Sequence, residues 1–384
     1  MKRLFACVTL LLSQFGFANE VDKGLKNIEI TNSIGGLIQI DYSDYDKLWN
    51  NDLFDASDID LRRLRLNTKG KIGNDFSYKL EVNFNENGDI KVEDAFVHYK
   101  KSNSNIYIGQ VLEPLGLEGI TSPKWNTAIE LSPISSVISP GRSTGLTYRG
   151  NFDKTMVHLG VYDNGRQKKT RLNDQGEEST GQAKNNLAYT GRFTFVPYQS
   201  ENTFLHLGAA YSYRETENTN LSISSGGAIR GDSPVFAKAL TTANEVKIVG
   251  LETAFITNNF SIQGEHFTLD VDERSAVDKL DVDGWYLLTS YFITGETRNY
   301  YAKTGDFGSI KPNSKHGAVE LFGRHSEVTF DSASSVDLDS TTLGVNYYVN
   351  QDIKVSFNAV RLERESAGEL ASGYAYHLRF QLVY

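Results

Sequence analysis

The sequence predicts an all-β chain that forms a transmembrane antiparallel β-barrel of about sixteen strands, with one long loop folded inward as a constriction. Three observations lead to this prediction. Short segments with alternating apolar and polar residues follow one another along the chain. Short and long connections between these segments alternate. A long segment without a regular period, 111–142, separates two strand-like pieces, and connections of that length are usually functional.

The N-terminus has the pattern of a secretory signal. Lys2 and Arg3 precede an apolar run, Leu4–Leu12, and small residues end at Ala18, where we predict cleavage. A buried first strand or helix is the alternative interpretation. The predicted organisation is a signal peptide over 1–18, an N-terminal periplasmic segment over 19–33 and a barrel over 34–384.

Composition narrows the function classes. The single cysteine, Cys7, lies in the predicted signal, so the mature chain is expected to need neither a disulfide nor a cysteine-bound metal. No cofactor is expected. The net charge of −9 argues against nucleic acid as a partner. No segment after the signal reaches the ~18 consecutive apolar residues of a spanning helix, whereas barrel strands average to a polar composition.

The clearest strand is 76–84, where aromatic and aliphatic residues occupy one face and Ser77, Lys79, Glu81 and Asn83 the other. One such strand also fits a soluble sandwich, but the length of the series favours a barrel. Similar alternation covers 38–43, 63–67, 94–99, 106–110, 143–150, 157–161, 187–195, 203–213, 245–256, 260–269, 284–293, 317–326, 341–349, 353–362 and 374–384.

Connection lengths provide a second, independent signal. Short turns on one side of the membrane and long loops on the other are typical of outer-membrane barrels. The predicted short turns are 73–74, 101–104, 151–153, 197–201, 257–258 and 350–352. The predicted long loops are 43–58, 111–142, 163–185, 214–244, 270–281, 327–340 and 363–373. One connection on the short-turn side, 294–315, is long and breaks the pattern.

The polar face of these strands carries many basic residues. If the apolar face contacts lipid, the basic residues point into the lumen, since Arg or Lys at mid-bilayer on the lipid face costs roughly 2–4 kcal/mol. Cations lining a narrow passage raise the local anion concentration, and the arginine fork suits oxyanions such as phosphate. Acids share this face (Asp41, Glu81, Asp94, Glu252 and Glu320), so a charge-balanced wall without preference is the alternative. The basic residues predicted to point inward are Arg63, Arg65, Lys79, Arg149, Arg192, Lys247, Arg324, Lys354 and Arg379.

A collinear series of motifs resembles the phosphate-selective porin family, named for porins O and P. The motifs are Arg62-Arg63-Leu64-Arg65-Leu66, Val92-Glu93-Asp94-Ala95-Phe96-Val97, Ile108-Gly109-Gln110, Gly116-Leu117-Glu118, Gly141-Arg142-Ser143-Thr144-Gly145, Gly284-Trp285-Tyr286, Gly317-Ala318-Val319-Glu320-Leu321, Leu343-Gly344-Val345-Asn346-Tyr347 and Leu378-Arg379-Phe380-Gln381. The resemblance implies a sixteen-stranded trimeric outer-membrane channel with basic side chains in the lumen and a constriction carried by a loop.

The resemblance also implies roles for particular residues. Arg62 and Arg63 match paired arginines that begin the family's arginine ladder; strict alternation lets only one face inward, and Arg63 is the expected one. Lys124 and Arg142 lie where constriction cations would. Three glutamates in 111–142 and the net charge of −9 depart from the pattern of a strongly phosphate-selective member. The candidate pore-lining residues are Arg63, Arg65, Lys79, Lys124, Arg142, Arg149, Arg192, Arg324 and Arg379.

The expected function is a passive outer-membrane channel for small anions such as phosphate. The expected partners are outer-membrane lipid, lipopolysaccharide and two further copies of the chain in a homotrimer. A general diffusion porin with weak or no anion selectivity is the alternative. Neither a Gly-x-Ser-x-Gly elbow nor a His-Glu-x-x-His helix occurs, so an enzyme is not expected. A soluble secreted β-protein is a third possible class. Partition of the protein into buffer without detergent would support this class.

Overall fold

The computed structural model describes residues 30–46, 56–84, 90–166, 170–172, 178–180, 185–216, 221–229, 236–240, 243–273, 280–332 and 335–384. Within these ranges sixteen antiparallel strands form one closed barrel, and the first strand pairs with the last through Leu37↔Val383 to Asp46↔Tyr374. The predicted fold is confirmed. The strands are β1 Ile30–Asp46, β2 Ala56–Ile72, β3 Phe76–Phe84, β4 Ile90–Lys101, β5 Ser104–Leu112, β6 Arg142–Phe152, β7 Thr155–Arg166, β8 Asn185–Gln199, β9 Thr203–Glu215, β10 Ala243–Thr257, β11 Phe260–Glu273, β12 Asp281–Phe292, β13 Ala318–Asp331, β14 Val336–Tyr348, β15 Ile353–Ser366 and β16 Glu369–Val383.

Side chains along most strands alternate between lipid and lumen, as the pattern of the sequence predicts. In β16, Leu378 and Phe380 are 45% and 42% exposed on the outer surface. Arg379, between them, is 2% exposed and lies inside the barrel. The predicted signal peptide and residues 19–29 lie outside the described residues, and β1 already begins at Ile30.

A β-bulge changes the face that the paired arginines present. Gln39 of β1 pairs with Arg63, but Asp41 pairs with Asp60, so β2 contains one extra residue between these two pairs. The extra residue lets both Arg62 and Arg63 reach the lumen, whereas strict alternation admits only Arg63. The expectation that only one of the two faces inward is therefore wrong.

The strands from β10 to β16 reverse their polarity toward the extracellular side. In β13 the inward residues Val328 and Phe330 are buried, whereas the outward Glu327 and Asp331 are exposed. The outer surface at this height is polar, as expected where strands rise above the hydrocarbon. The inner surface packs against Ile134 in the constriction loop. The prediction that apolar residues face only lipid is wrong for this half.

On the extracellular side these strands are longer than the sequence predicts, which corrects two predicted loops. The orientation of one predicted lumen residue is also corrected. The sequence predicts long loops at 327–340 and 363–373, but β13 pairs with β14 up to Phe330↔Val336, and β15 with β16 up to Ser366↔Glu369. Lys247 of β10 shares the outward face with the exposed Val249, so it does not point into the lumen.

The segment between β5 and β6, which we call the constriction loop (113–141), crosses the barrel interior. It contains two short helices, Leu117–Ile120 and Pro133–Ile138. The second begins with Pro133 at its first position, and the Ser132 side chain accepts a hydrogen bond from the Ser135 amide (3.3 Å), which caps its N-terminus. In the part of the chain that the structure describes, no helix has the length and apolarity to cross a membrane.

The long connection between β12 and β13, here called the inward turn (293–317), folds back into the lumen. Its residues Tyr300–Tyr301 pair with Asp306–Phe307 as a short ribbon. Phe307 is buried against Leu117 of the constriction loop and Phe204 of the wall. Its length, which the turn pattern does not account for, thus follows from a packing role: the inward turn supports the constriction loop from the periplasmic side.

Candidate functional site: the constriction

The first helix of the constriction loop is held against the wall from two sides. Arg324 of β13 donates to the Glu118 carboxylate (Nη1–Oε1 2.7 Å) and to the Glu130 carbonyl oxygen (2.9 Å). From β11, the Glu265 carboxylate accepts hydrogen bonds from the amides of Leu117 (2.5 Å) and Glu118 (2.8 Å). The side chains of Arg324, Glu118 and Glu265 are buried. Arg324 therefore anchors the loop rather than facing the water-filled bore.

Glycine before this helix makes the close approach possible. Gly116 has φ = +76°, a conformation that favours glycine. A Cβ atom there would lie 2.9 Å from Oε1 of Glu265 and 2.9 Å from the ring of Phe267. Any side chain at this position would push the loop off the wall.

Glu130 is the second anchoring point. Its carboxylate accepts from Arg62 (Nε–Oε1 3.1 Å) and Arg379 (Nη2–Oε1 3.0 Å). Arg379 also forms a bidentate pair with Asp41 (2.7 and 2.6 Å) and donates to the Ile129 carbonyl (2.8 Å). Burial alone would raise the pKa of Glu130, but the surrounding guanidinium groups outweigh it and hold the pKa well below its usual range. The anchor therefore stays ionised at neutral pH.

Glu113, at the start of the constriction loop, is the third anchoring point. Arg214 of β9 donates two hydrogen bonds to its carboxylate (2.8 and 3.1 Å), and Thr190 of β8 donates a third (2.9 Å). All three loop glutamates, which the sequence suggests would weaken anion selectivity, are thus neutralised by arginines of the wall.

Amide and lysine side chains of β14–β16 complete the attachment through the loop backbone. These contacts fix the middle of the loop without using any of its side chains. They are Asn346 to the Thr127 carbonyl (2.9 Å), the Ile129 amide to Asn358 (2.9 Å), Lys354 to the Asn126 carbonyl (3.0 Å) and Gln381 to the Lys124 carbonyl (3.1 Å).

Arg192 has a similar anchoring role for the inward turn, on the periplasmic side of the constriction loop. Its guanidinium pairs with Glu252 (Nη2–Oε1 2.5 Å) and donates to the Gly305 carbonyl of the inward turn (2.7 Å). His206 donates from Nε2 to the same Glu252 oxygen (3.0 Å) and contacts the Tyr300 hydroxyl through Nδ1 (2.5 Å). Arg192 therefore joins the wall to the inward turn.

On the side of β2–β4, three basic and three acidic side chains form what we call the balanced cluster. Within it each cation contacts at least two carboxylates, so its charges cancel. Its ion pairs are Arg65 with Glu81 (3.3 Å) and Glu93 (3.2 Å), Lys79 with Asp94 (2.5 Å) and Glu81 (3.1 Å), and Arg142 with Asp94 (2.7 Å) and Glu93 (2.9 Å).

Other inward cations beside this cluster have no such partner, Arg63 and Lys124 among them. Among the described residues, no carboxylate oxygen lies within 4.0 Å of the Arg63 or Lys124 nitrogens. Arg63 donates to Gln39 (2.7 Å), whose own amide donates to Gln381 (2.7 Å). Their charges are therefore available to a solute.

A cavity of about 980 Å³, here called the basic chamber, contains both of these cations. Eight basic and three acidic side chains line it, an excess of five positive charges, of which the charge of Arg62 is balanced by Glu130. The basic residues are Arg62, Arg63, Arg65, Lys69, Lys79, Lys91, Lys124 and Arg142, and the acids are Glu81, Glu93 and Asp94.

The nine candidate residues of the sequence thus fall into separate groups. Arg63, Arg65, Lys79, Lys124 and Arg142 line the basic chamber. Arg192, Arg324 and Arg379 hold the constriction loop or the inward turn. Arg149 lies apart, with its guanidinium 5.3 Å from the Tyr107 ring centre and bonded to the Tyr107 hydroxyl (2.5 Å).

Three chamber residues were missed by the sequence reasoning. Lys69 continues the alternation of Arg63, Arg65 and Asn67, so the period of two could have found it. Arg62 is signalled by a change of phase, because outward apolar residues are odd-numbered at Ile59 and even-numbered at Leu66. Lys91 is the second residue of β4 and has no comparable signal.

Comparison with known proteins agrees with this geometry. A family model described as "Phosphate-selective porin O and P" matches residues 33–384. The chain belongs to this porin family. Porin O of Pseudomonas aeruginosa is 25% identical over 376 residues, which cover 88% of this chain and 84% of that protein.

Solved structures share the fold of this porin. An anion-selective porin from Comamonas acidovorans aligns with a TM-score of 0.58 and 12% identity, covering 93% of this chain and 100% of that one. The trimer form of the outer membrane protein OmpT of Vibrio cholerae aligns with a TM-score of 0.56 and 11% identity, covering 92% and 99%. Family and fold assign this porin to the bacterial outer membrane and indicate a channel rather than an enzyme.

The surroundings of Lys124 predict a pH dependence for this porin. Burial lowers the pKa of Lys124, and the charges of Lys79 and Arg65 add to the shift against the opposing effect of Glu81. Lys124 therefore loses its proton as the pH rises through a value below the ~10.4 of an ordinary lysine. We expect anion selectivity to fall over this alkaline range. The zero-current potential in a KCl gradient, measured from neutral to alkaline pH, checks this.

Lys124→Arg is the matched control, because a guanidinium stays charged throughout the range. Its zero-current potential should remain flat where that of the wild type declines. Parallel decline of the two proteins would show that another group is titrating.

Proposed function

We propose that this porin is a passive channel with a preference for small oxyanions such as phosphate. The observation that carries the proposal is the basic chamber, with its eight basic and three acidic side chains. A surplus of positive charge in a confined, low-dielectric passage concentrates anions and speeds their entry by ~10-fold or more.

Arg63 and Lys124 are the residues that we propose meet the anion. Arg63 presents a planar fork that can donate two hydrogen bonds to one oxyanion, and Lys124 adds a point charge from the opposing loop. The family description and the name of the Comamonas porin, a phosphate-selective family and an anion-selective protein, support the same preference.

One observation favours a second candidate, a general diffusion porin with weak selectivity. The balanced cluster neutralises Arg65, Lys79 and Arg142, so fewer cations converge on one phosphate than line the chamber. In a porin with weak selectivity, phosphate would not block the chloride current. Block requires a binding site that phosphate can saturate.

The experiment that separates the two is block of chloride current by phosphate in planar bilayers. We expect the current to fall with added inorganic phosphate and to approach a plateau, because a binding site for phosphate saturates. A current that depends linearly on the total anion concentration would support the general diffusion porin instead.

For its assembly, we propose a homotrimer, as in the trimer form of OmpT, which shares the fold. The exposed apolar side chains on the outer surface of the periplasmic part of the barrel would contact lipid. The exposed outward acids of the upper barrel, Glu327 and Asp331 among them, suit lipopolysaccharide phosphates bridged by divalent cations. Cross-linking in native outer membranes tests the trimer. We propose no catalytic activity.

A further inference from the structure

We propose that the basic chamber binds a phosphorylated organic molecule of nucleotide size more tightly than it binds inorganic phosphate. The inference rests on the proposed function as an anion channel and specifies its substrate class. Three features of the chamber carry it: its volume, the spacing of its unpaired cations and its aromatic lining.

The volume exceeds what a single tetrahedral anion can fill. Cavities that hold drug-sized ligands measure about 300–1,000 Å³, and the basic chamber, at about 980 Å³, lies at the upper end of that range. A small anion in such a space contacts one wall and leaves the rest to water. A solute with an organic body replaces that water.

The cations are spread along the chamber instead of converging. Arg63 and Lys69 are on the same face of β2, and at ~3.3 Å per residue their Cα atoms are about 20 Å apart. Lys79 lies directly across from Lys69 in the strand register, but it is paired with Asp94 and Glu81. A phosphate group can therefore bind at Arg63 and Lys124 while the remainder of its molecule extends along the chamber.

The constriction loop supplies an apolar surface for that remainder. Ile120, Pro123 and Trp125 line the same chamber as the cations. Trp125 is only half-buried, and its backbone is fixed by a hydrogen bond from its amide to the Ser122 carbonyl (2.7 Å). An indole held at the edge of a basic cavity is suited to stack on a base, while nearby cations bind the phosphate.

The test measures block of chloride current through the reconstituted full-length porin by AMP, inorganic phosphate and adenosine. We expect AMP to reach half-block at a concentration about tenfold lower than inorganic phosphate, because stacking adds to the charge contact. Adenosine, which lacks the charge, should not block.

Variants at Trp125 assign the difference to stacking. Trp125→Ala should raise the half-block concentration of AMP by about fivefold or more and leave that of phosphate within about twofold. Trp125→Phe should retain most of the AMP effect. Trp285→Ala, which removes a tryptophan from the outer face of β12, is the matched control and should change neither value.

Equal half-block concentrations for AMP and phosphate, or an AMP block unaffected by Trp125→Ala, would overturn the inference and leave the proposed function intact. Absence of block by both anions would overturn the proposed function together with the inference.

Discussion

Arg324→Met is expected to release the constriction loop and raise single-channel conductance severalfold. The substitution leaves the Glu118 carboxylate buried without its cation and removes a donor from the Glu130 carbonyl. Breaking a buried ion pair by removing one partner costs about 3–5 kcal/mol. The loop is the element that can move, because the wall keeps its hydrogen-bonded strands.

Arg361→Met is the matched control for this variant. Arg361 pairs with Glu363 at 2.7 Å on the outer face of the same sheet, and both side chains are solvent-exposed or nearly so. Its loss should leave conductance unchanged, since exposed pairs contribute about 0–1 kcal/mol.

A second variant separates loop release from general damage. Arg324→Met combined with Glu118→Gln removes the uncompensated charge, so its conductance should lie closer to that of the wild type. Wild-type conductance in Arg324→Met itself would show that Glu118 and Arg324 do not hold the loop.

Arg63→Met combined with Lys124→Met is expected to abolish most of the anion preference. These two cations lack a carboxylate within salt-bridge distance in the described part of the chain, so their charges are not cancelled locally. The chloride-to-potassium permeability ratio should fall by about tenfold or more, because the focusing charge at the constriction is lost. Zero-current potentials in a KCl gradient measure the ratio.

Lys100→Met combined with Lys101→Met removes the same charge from the exposed periplasmic end of β4 and serves as the control. It should change the ratio only slightly at high salt, where exposed charges are screened. If the Arg63 and Lys124 double variant kept the wild-type ratio, the anion contact would have to lie elsewhere in the lumen.

The barrel could be predicted from the sequence because its signal is local. A period of two over one strand, as in 76–84, already divides lipid-facing from lumen-facing residues. Local patterns also mark the constriction loop as a long, irregular insertion. The bulge at Arg62 was in principle readable from the change of phase between Ile59 and Leu66.

Whether a given lumen arginine binds solute or holds the loop could not be predicted, because this role depends on partners that are distant in sequence. Arg324 and Glu118, or Arg379 and Asp41, come together only when the barrel has closed and the loop has folded inside. The pattern of one strand places both arginines in the lumen. It does not distinguish a cation that binds solute from one that holds the loop.

The zero-current potential of the wild-type porin in a KCl gradient tests the central claim most directly. If the surplus charge of the basic chamber controls permeation, chloride crosses faster than potassium and the dilute side becomes negative at neutral pH. A potential near zero, or a positive dilute side, would contradict the claim that this porin selects anions.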